Sequence, residues 1–313
     1  MGNFKGKTVA EMISENKQSN RNVGAVIENG MPKLFLACAV ISILTTIGIV
    51  LTLLAETFTF FQQVSFFEFI TSKEWYPMHS NPSFGILPLI VGTLKVAVIA
   101  MIFAIPVGLG SAIFLSEYAS DRVRRTIKPI LEVLAGVPTI VYGFFALTFV
   151  TPLLQNIIPG MSVYNALSPG IVVGIMIIPM IASLSEDALS SVPRSIREGA
   201  YAMGSTRFEV AIKVVLPAAL SGVIASFVLG ISRAIGETMI VTVAGGANPS
   251  VGLDVTSAIQ TMTAYIVQVS LGDAGYGTTA YYSIYAVGMT LFVFTLLMNL
   301  LAQYISKRFR EEY

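Results

Sequence analysis

Apolar and polar residues are sorted into long blocks along this chain. Residues 1–32 (MGNFKGKTVAEMISENKQSNRNVGAVIENGMP) are largely polar. Six mainly apolar runs follow, at about 34–55, 86–115, 129–154, 169–185, 217–243 and 281–305. A helix rises about 1.5 Å per residue, so roughly 20 apolar residues cross a hydrocarbon layer of about 30 Å. Lipid offers no partner to backbone N–H and C=O groups, so a crossing run must satisfy them internally. A transmembrane barrel would instead show short segments of alternating polarity. The pattern predicts an all-α membrane protein with six transmembrane helices. The second, third and fifth runs are long enough to tilt or to include interfacial turns.

Composition agrees with a lipid solvent. The 313 residues are 54% hydrophobic and 12% charged, and mean hydropathy is +0.75. A soluble domain carries about 25% charged residues. The net charge of +1 points to no nucleic-acid partner. Cys38 is the single cysteine and His79 the single histidine, which argues against an internal disulfide, cysteine or histidine-cluster metal sites and Ser-His-Asp chemistry. A leader peptide is not expected, because the first apolar run begins too late. Gly6-Lys7-Thr8 resembles the end of a phosphate-binding loop but lacks its first glycine and a preceding strand.

The basic residues orient the spans. Lys5, Lys7, Lys17, Arg21 and Lys33 precede the first run. Arg122, Arg124, Arg125 and Lys128 follow the second. Arg194, Arg197, Arg207 and Lys213 follow the fourth, and Lys307, Arg308 and Arg310 end the chain. The alternate loops hold only Lys73. Six spans with both termini inside place every basic loop on the cytoplasmic face. The organisation expected is a polar tail at 1–32, a first helix and outer loop at 33–84, and a transmembrane domain at 85–309.

The loop between the fourth and fifth runs carries helix signals. Ser195 and Glu198 have capping-box spacing, and Ile196, Ala200 and Met203 recur at helical spacing. Gly204 stands where a helix-terminating glycine belongs. A second helical piece, Arg207–Val215, leads to Pro217. On spacing alone the hairpin either lies on headgroups or docks a partner.

Glu198-Gly199-Ala200, then Gly204, then Val214, Leu216 and Pro217 resemble the EAA loop of ABC-importer permeases, with Gly199 in place of an alanine and Val214 in place of an isoleucine. Segments 92–120, 131–147 (LEVLAGVPTIVYGFFAL), 185–200 (SEDALSSVPRSIREGA), 232–241 (SRAIGETMIV) and 262–267 (MTAYIV) resemble the phosphate-specific PstC permeases. The resemblance implies the type I ABC-importer permease fold in a bacterial or archaeal cell membrane. It implies that the loop at 195–217, through Glu198, Gly199, Ala200, Met203, Gly204, Ser205, Leu216 and Pro217, meets a separate ATPase. Its implied partners are a PstA-like second permease, a PstB-like ATPase dimer that uses ATP and Mg, and a PstS-like external binding protein. The chain itself is expected to hold no cofactor and to catalyse nothing.

Two charges interrupt the fifth run, Arg233 and Glu237. Arginine at a helix centre costs roughly 2.5–3.5 kcal/mol on insertion scales. At i and i+4 the two side chains share a face of a continuous helix and pair. Either they neutralise each other structurally, or Arg233 also offers its guanidinium fork to a passing anion, with Glu237 holding it and Thr238 and Ser232 adding hydroxyls. Lys95 reads as a side chain snorkelling to the interface or as a second anion-attracting charge. Glu132 reads as a local partner of Lys128. Moving an anion against an inside-negative potential costs roughly 2.3 kcal/mol per charge per 100 mV, so ATP must act through another subunit. Permeation of another oxyanion, sulfate or molybdate, and a free-standing channel or secondary transporter remain the alternatives.

Overall fold

The computed structural model describes residues 9–272 and 274–308. Residues 1–8 and 309–313, which belong to the expected cytoplasmic tails, lie outside the described residues. Contacts divide the chain into two units, residues 1–55 and 56–313, rather than at 84/85.

The first unit is one helix. α1 (Val9–Gln63) runs without interruption through Pro32, so the polar segment is helical from residue 9 onward. Phe35, Leu36, Ile41 and Leu44 on it are each more than half exposed. Such a surface is stable in lipid, where apolar side chains meet apolar tails.

The second unit begins with the end of α1 and a small cap. α2 (Phe66–Thr71) and the hairpin of β1 (Trp75–Tyr76) and β2 (Ser83–Phe84) pair Trp75 with Phe84. Phe60, Phe69, Trp75 and Phe84 meet edge to face around Tyr265. This aromatic plug organises the loop before the second span.

The bundle centres on α3 (Leu87–Ile113) against α7 (Leu167–Ser190). Small residues let the two backbones approach. A methyl on Gly170 would stand 2.7 Å from the Ile99 side chain, one on Gly174 2.8 Å from the Ala100 carbonyl, and one on Gly108 2.7 Å from Ile181. Val96, Ala100, Ala104, Val173, Ile177 and Ile181 fill the seam. α3 continues through a wider π turn to Tyr118.

Two expected spans have different bounds. α4 (Asp121–Ala135) is a separate helix with no buried residue. Gly136, Val137 and Pro138 break the chain, and the third span runs from Thr139 to Ile157 through α5 (Thr139–Phe145), a π turn and α6 (Thr151–Ile157). Ile130, Leu131, Val133 and Leu134 therefore belong to an amphipathic helix rather than to the span. The fifth run is broken twice. After α8 (Arg194–Ala202), a segment Arg207–Ala218 comprises α9 (Arg207–Glu209), a π turn and α10 (Leu216–Ala218). It meets α11 (Leu220–Ile235) at a bend of 75°. Pro217 has no N–H to give, and just before it the Leu216 N–H reaches five residues back to Ala211. The second break follows Ile235, before α12 (Met239–Ala244). α13 (Met262–Leu271) and α14 (Thr279–Arg308) complete the unit. Among the described residues, five helices are long and apolar enough to cross a membrane, and the bent pair makes a sixth.

Candidate functional site

The loop after α7 is a built surface. α8 starts directly behind Pro193, so Ser195 sits inside the helix and does not cap it. The capping box forms instead at the second piece. The Thr206 hydroxyl accepts from the Glu209 N–H at 3.3 Å, and the Glu209 carboxylate accepts from the Thr206 N–H at 3.0 Å. Gly204 ends α8 at φ +85, a conformation open to glycine. The Ser205 N–H donates to Ala200 O at 3.2 Å and the Gly204 N–H to Tyr201 O at 2.9 Å, the paired bonds of a Schellman turn.

Ile196 and Ala200 face inward against Leu189, Val210 and Val215. Met203, expected on that same face, caps the helix and is 86% exposed. Tyr201 and Phe208 are also exposed, as are Glu198, Gly199, Gly204 and Pro217, while Ser205 and Leu216 are half-buried. An outward apolar patch rimmed by charge suits a protein partner.

Arg197 anchors this surface from behind. Its Nε and Nη2 donate to Glu117 at 3.2 and 2.9 Å, Nη2 also to Leu189 O at 2.8 Å, and Nη1 to Val192 O. Glu117 is buried in the π turn ending α3. One guanidinium thus joins α8, α3 and the end of α7. Arg207 adds a second tie, 5.1 Å above the Tyr118 ring. Beside it, Glu186 is fully buried and pairs with Arg124 and Lys128 of α4, while the Ser190 hydroxyl donates to it at 2.8 Å. Lys128 also binds Asp187 at 2.7 Å. That bond, with those to Glu186, raises its ammonium pKa above the usual lysine value despite partial burial. The expected Lys128–Glu132 pair is therefore replaced.

The intramembrane charges also differ from expectation. Gly236 ends α11, so Arg233 and Glu237 are not on one continuous helix, and no salt bridge joins them among the described residues. Glu237 is 4% exposed. Its Oε1 accepts the N–H groups of Met239 and Ile240 at 3.1 and 3.2 Å, capping α12. Its carbonyl accepts the Thr263 hydroxyl at 2.7 Å. Thr238 bonds locally to Gly236 O, and Ser232 donates to Asn299 of α14 at 2.8 Å. Neither Glu237, Thr238 nor Ser232 lines the space into which Arg233 points. That space is a cavity of about 540 Å³ walled by Leu131 and Glu132 of α4, by Met176, Pro179, Met180 and Ser183 of α7, and by Arg233, which is exposed within it. Lys95 donates to Asp254 O at 3.1 Å, tying α3 to the loop before α13.

The family of binding-protein-dependent transport system inner membrane components matches residues 104–311. The chain belongs to that family. Across 98% of its length the permease is 33% identical to a probable ABC transporter permease protein, YqgH, of Bacillus subtilis, covering 99% of that protein. It is 32% identical to the phosphate transport system permease protein PstC of Mesorhizobium japonicum, over 87% of this chain and 88% of that one. Its fold superposes on a chain of a bacterial alginate ABC transporter with a TM-score of 0.62 at 17% identity, covering 91% of this chain and 97% of that one.

Several side chains that tie these regions together escape the sequence reading. Glu117 and Arg197 are 80 residues apart, and Glu186 meets cations 58 and 62 positions away. Both acids stand within quoted family segments, and a lone carboxylate between apolar neighbours was the available signal. Asn299 gave none beyond being a polar residue in an apolar run.

Proposed function

We propose that this permease is the transmembrane subunit of an ATP-driven phosphate importer, forming half of the translocation path. The observation that carries the proposal is the state of Arg233. It lies within a membrane span, free of its expected acid, and presents a guanidinium to a cavity large enough for an oxyanion. Such a fork suits a tetrahedral anion through two parallel hydrogen bonds. The named phosphate permease relatives support the choice of cargo.

In this reading both termini and all basic loops are cytoplasmic. The outward patch of Tyr201, Met203 and Phe208, with Glu198 and the Gly204 turn, docks a PstB-like ATPase dimer. A PstA-like permease completes the path, and a PstS-like binding protein delivers phosphate to the opposite face. ATP-driven closure of the ATPase moves the loop, and the Arg197 anchor passes the movement to α3 and α7. Packed helices switch between discrete arrangements rather than flexing continuously.

The test replaces Arg233 with Gln in the assembled complex and measures ATP-driven phosphate uptake in proteoliposomes. Loss of uptake with intact assembly is expected. Uptake at the wild-type rate would sink the proposal.

A further inference from the structure

Arg233 shares its cavity with one carboxylate, and that carboxylate is Glu132 rather than Glu237. Glu132 sits in the last turn of α4 and is exposed. Lys128, one turn earlier, is engaged by Glu186 and Asp187. Among the described residues no salt bridge involves the Glu132 side chain. Glu132 also borders a second cavity, of about 450 Å³, whose wall includes Arg124, Arg125 and Lys128. Asp121 lines that second cavity as well, and Glu132 is the one lining residue common to both, between an arginine-lined space within the bundle and a space with three cations at its basic end.

We infer that Glu132 is the counter-carboxylate of the transport path, a residue that competes with the travelling anion for Arg233 and drives its release toward the basic cavity. The inference rests on the reading of Arg233 as an anion contact. Two oxyanions brought to one guanidinium repel each other, so a carboxylate and a phosphate compete there by charge rather than by lack of donors. Without forming a salt bridge, Glu132 places a negative charge in the cavity that Arg233 lines and offsets its positive potential there. With an anion bound, the carboxylate beside it is repulsive and keeps the site from becoming a trap. Conduction needs binding favourable enough to enter and weak enough to leave. Beyond Glu132, Arg125 offers the departing anion a positive charge, its neighbours Arg124 and Lys128 being already held by Glu186 and Asp187.

Glu132→Gln keeps the size and removes the charge. In the assembled transporter with its binding protein, kcat for phosphate uptake is expected to fall about ten-fold, within the range of coupling between competing interactions, while KM falls or stays the same. Glu132→Asp restores most of the rate. A structural role alone would not produce this split or the recovery by aspartate. Wild-type kcat in Glu132→Gln, a raised KM at unchanged kcat, a loss that aspartate does not restore, or failure of the complex to assemble each overturns the inference. Arg233→Gln is run in parallel. If it transports normally, the anion reading itself falls. If it is inactive while Glu132→Gln is normal, the role of Glu132 alone is refuted.

Discussion

Two regions of this permease bury acidic side chains, and they do so by opposite means. At the basic end, Glu117 and Glu186 are satisfied by cations from other elements, Arg197 in one case and Arg124 with Lys128 in the other. Within the membrane, Glu237 is satisfied by backbone N–H groups two and three residues ahead of it. A cross-element ion pair clamps separate segments and transmits displacement between them. A local cap fixes the backbone of one turn and leaves the nearby cation available. The two modes divide labour between holding the loop after α7 and exposing Arg233.

The comparison is broken most severely at Glu186. Glu186→Ala leaves Arg124 without a carboxylate and Lys128 with Asp187 alone, and about 3 kcal/mol of stability should be lost, the lower end for a buried pair because Arg124 and Lys128 are 37% and 28% exposed. Thermal unfolding of the purified transporter measures this, and a loss under about 1 kcal/mol would show that the cluster is not a clamp. Next comes Arg197→Lys, which keeps the charge but lacks the fork that reaches Glu117 and two carbonyls at once. About 2 kcal/mol is expected, together with ATP hydrolysis that no longer follows phosphate uptake. Tight coupling in this variant would remove Arg197 from the transmission path.

Glu237 separates the two modes directly. Glu237→Gln keeps an acceptor oxygen for the α12 N–H groups and should cost about 0.5 kcal/mol or less, whereas Glu237→Ala should cost about 1–2 kcal/mol, as lost caps do. Equal costs for the two variants would mean that the charge, rather than the cap, is what Glu237 supplies. The smallest effect is alkaline. Lys128 has a raised pKa when folded, so its contribution is complete below the unfolded lysine value and disappears as pH rises through the folded one. The Lys128 share of the unfolding profile should be lost in that alkaline window, and Lys128→Met should remove that share.

The six blocks, the bundle class and the glycine turn at 204 were legible because each depends on local chemistry. The path of the backbone inside the blocks was not. Apolar residues 130–135 were counted with the third span, although the Gly136–Pro138 break assigns them to α4. The i, i+4 pairing of Arg233 with Glu237 presumed an uninterrupted helix, and Gly236 removes that premise. The Thr206–Glu209 box has the same spacing as Ser195–Glu198, and it is the one that forms, because Pro193 sets the start of α8 and leaves Ser195 inside the helix. Contacts such as Glu117–Arg197 depend on packing, which no periodicity records.

The corner at Ala219 has a mechanical consequence. The segment Arg207–Ala218 stands at 75° to α11, and Arg233 lies 14 residues beyond the corner, about 21 Å along the helix axis. The arrangement is a bell crank. A push along the short arm becomes a swing of the long one, and a rotation of about 5° carries the guanidinium through roughly 2 Å, enough on this lever to make or break a hydrogen bond. In the proposed transport cycle, a stroke applied to the short arm would thereby arrive redirected and still sizeable at Arg233.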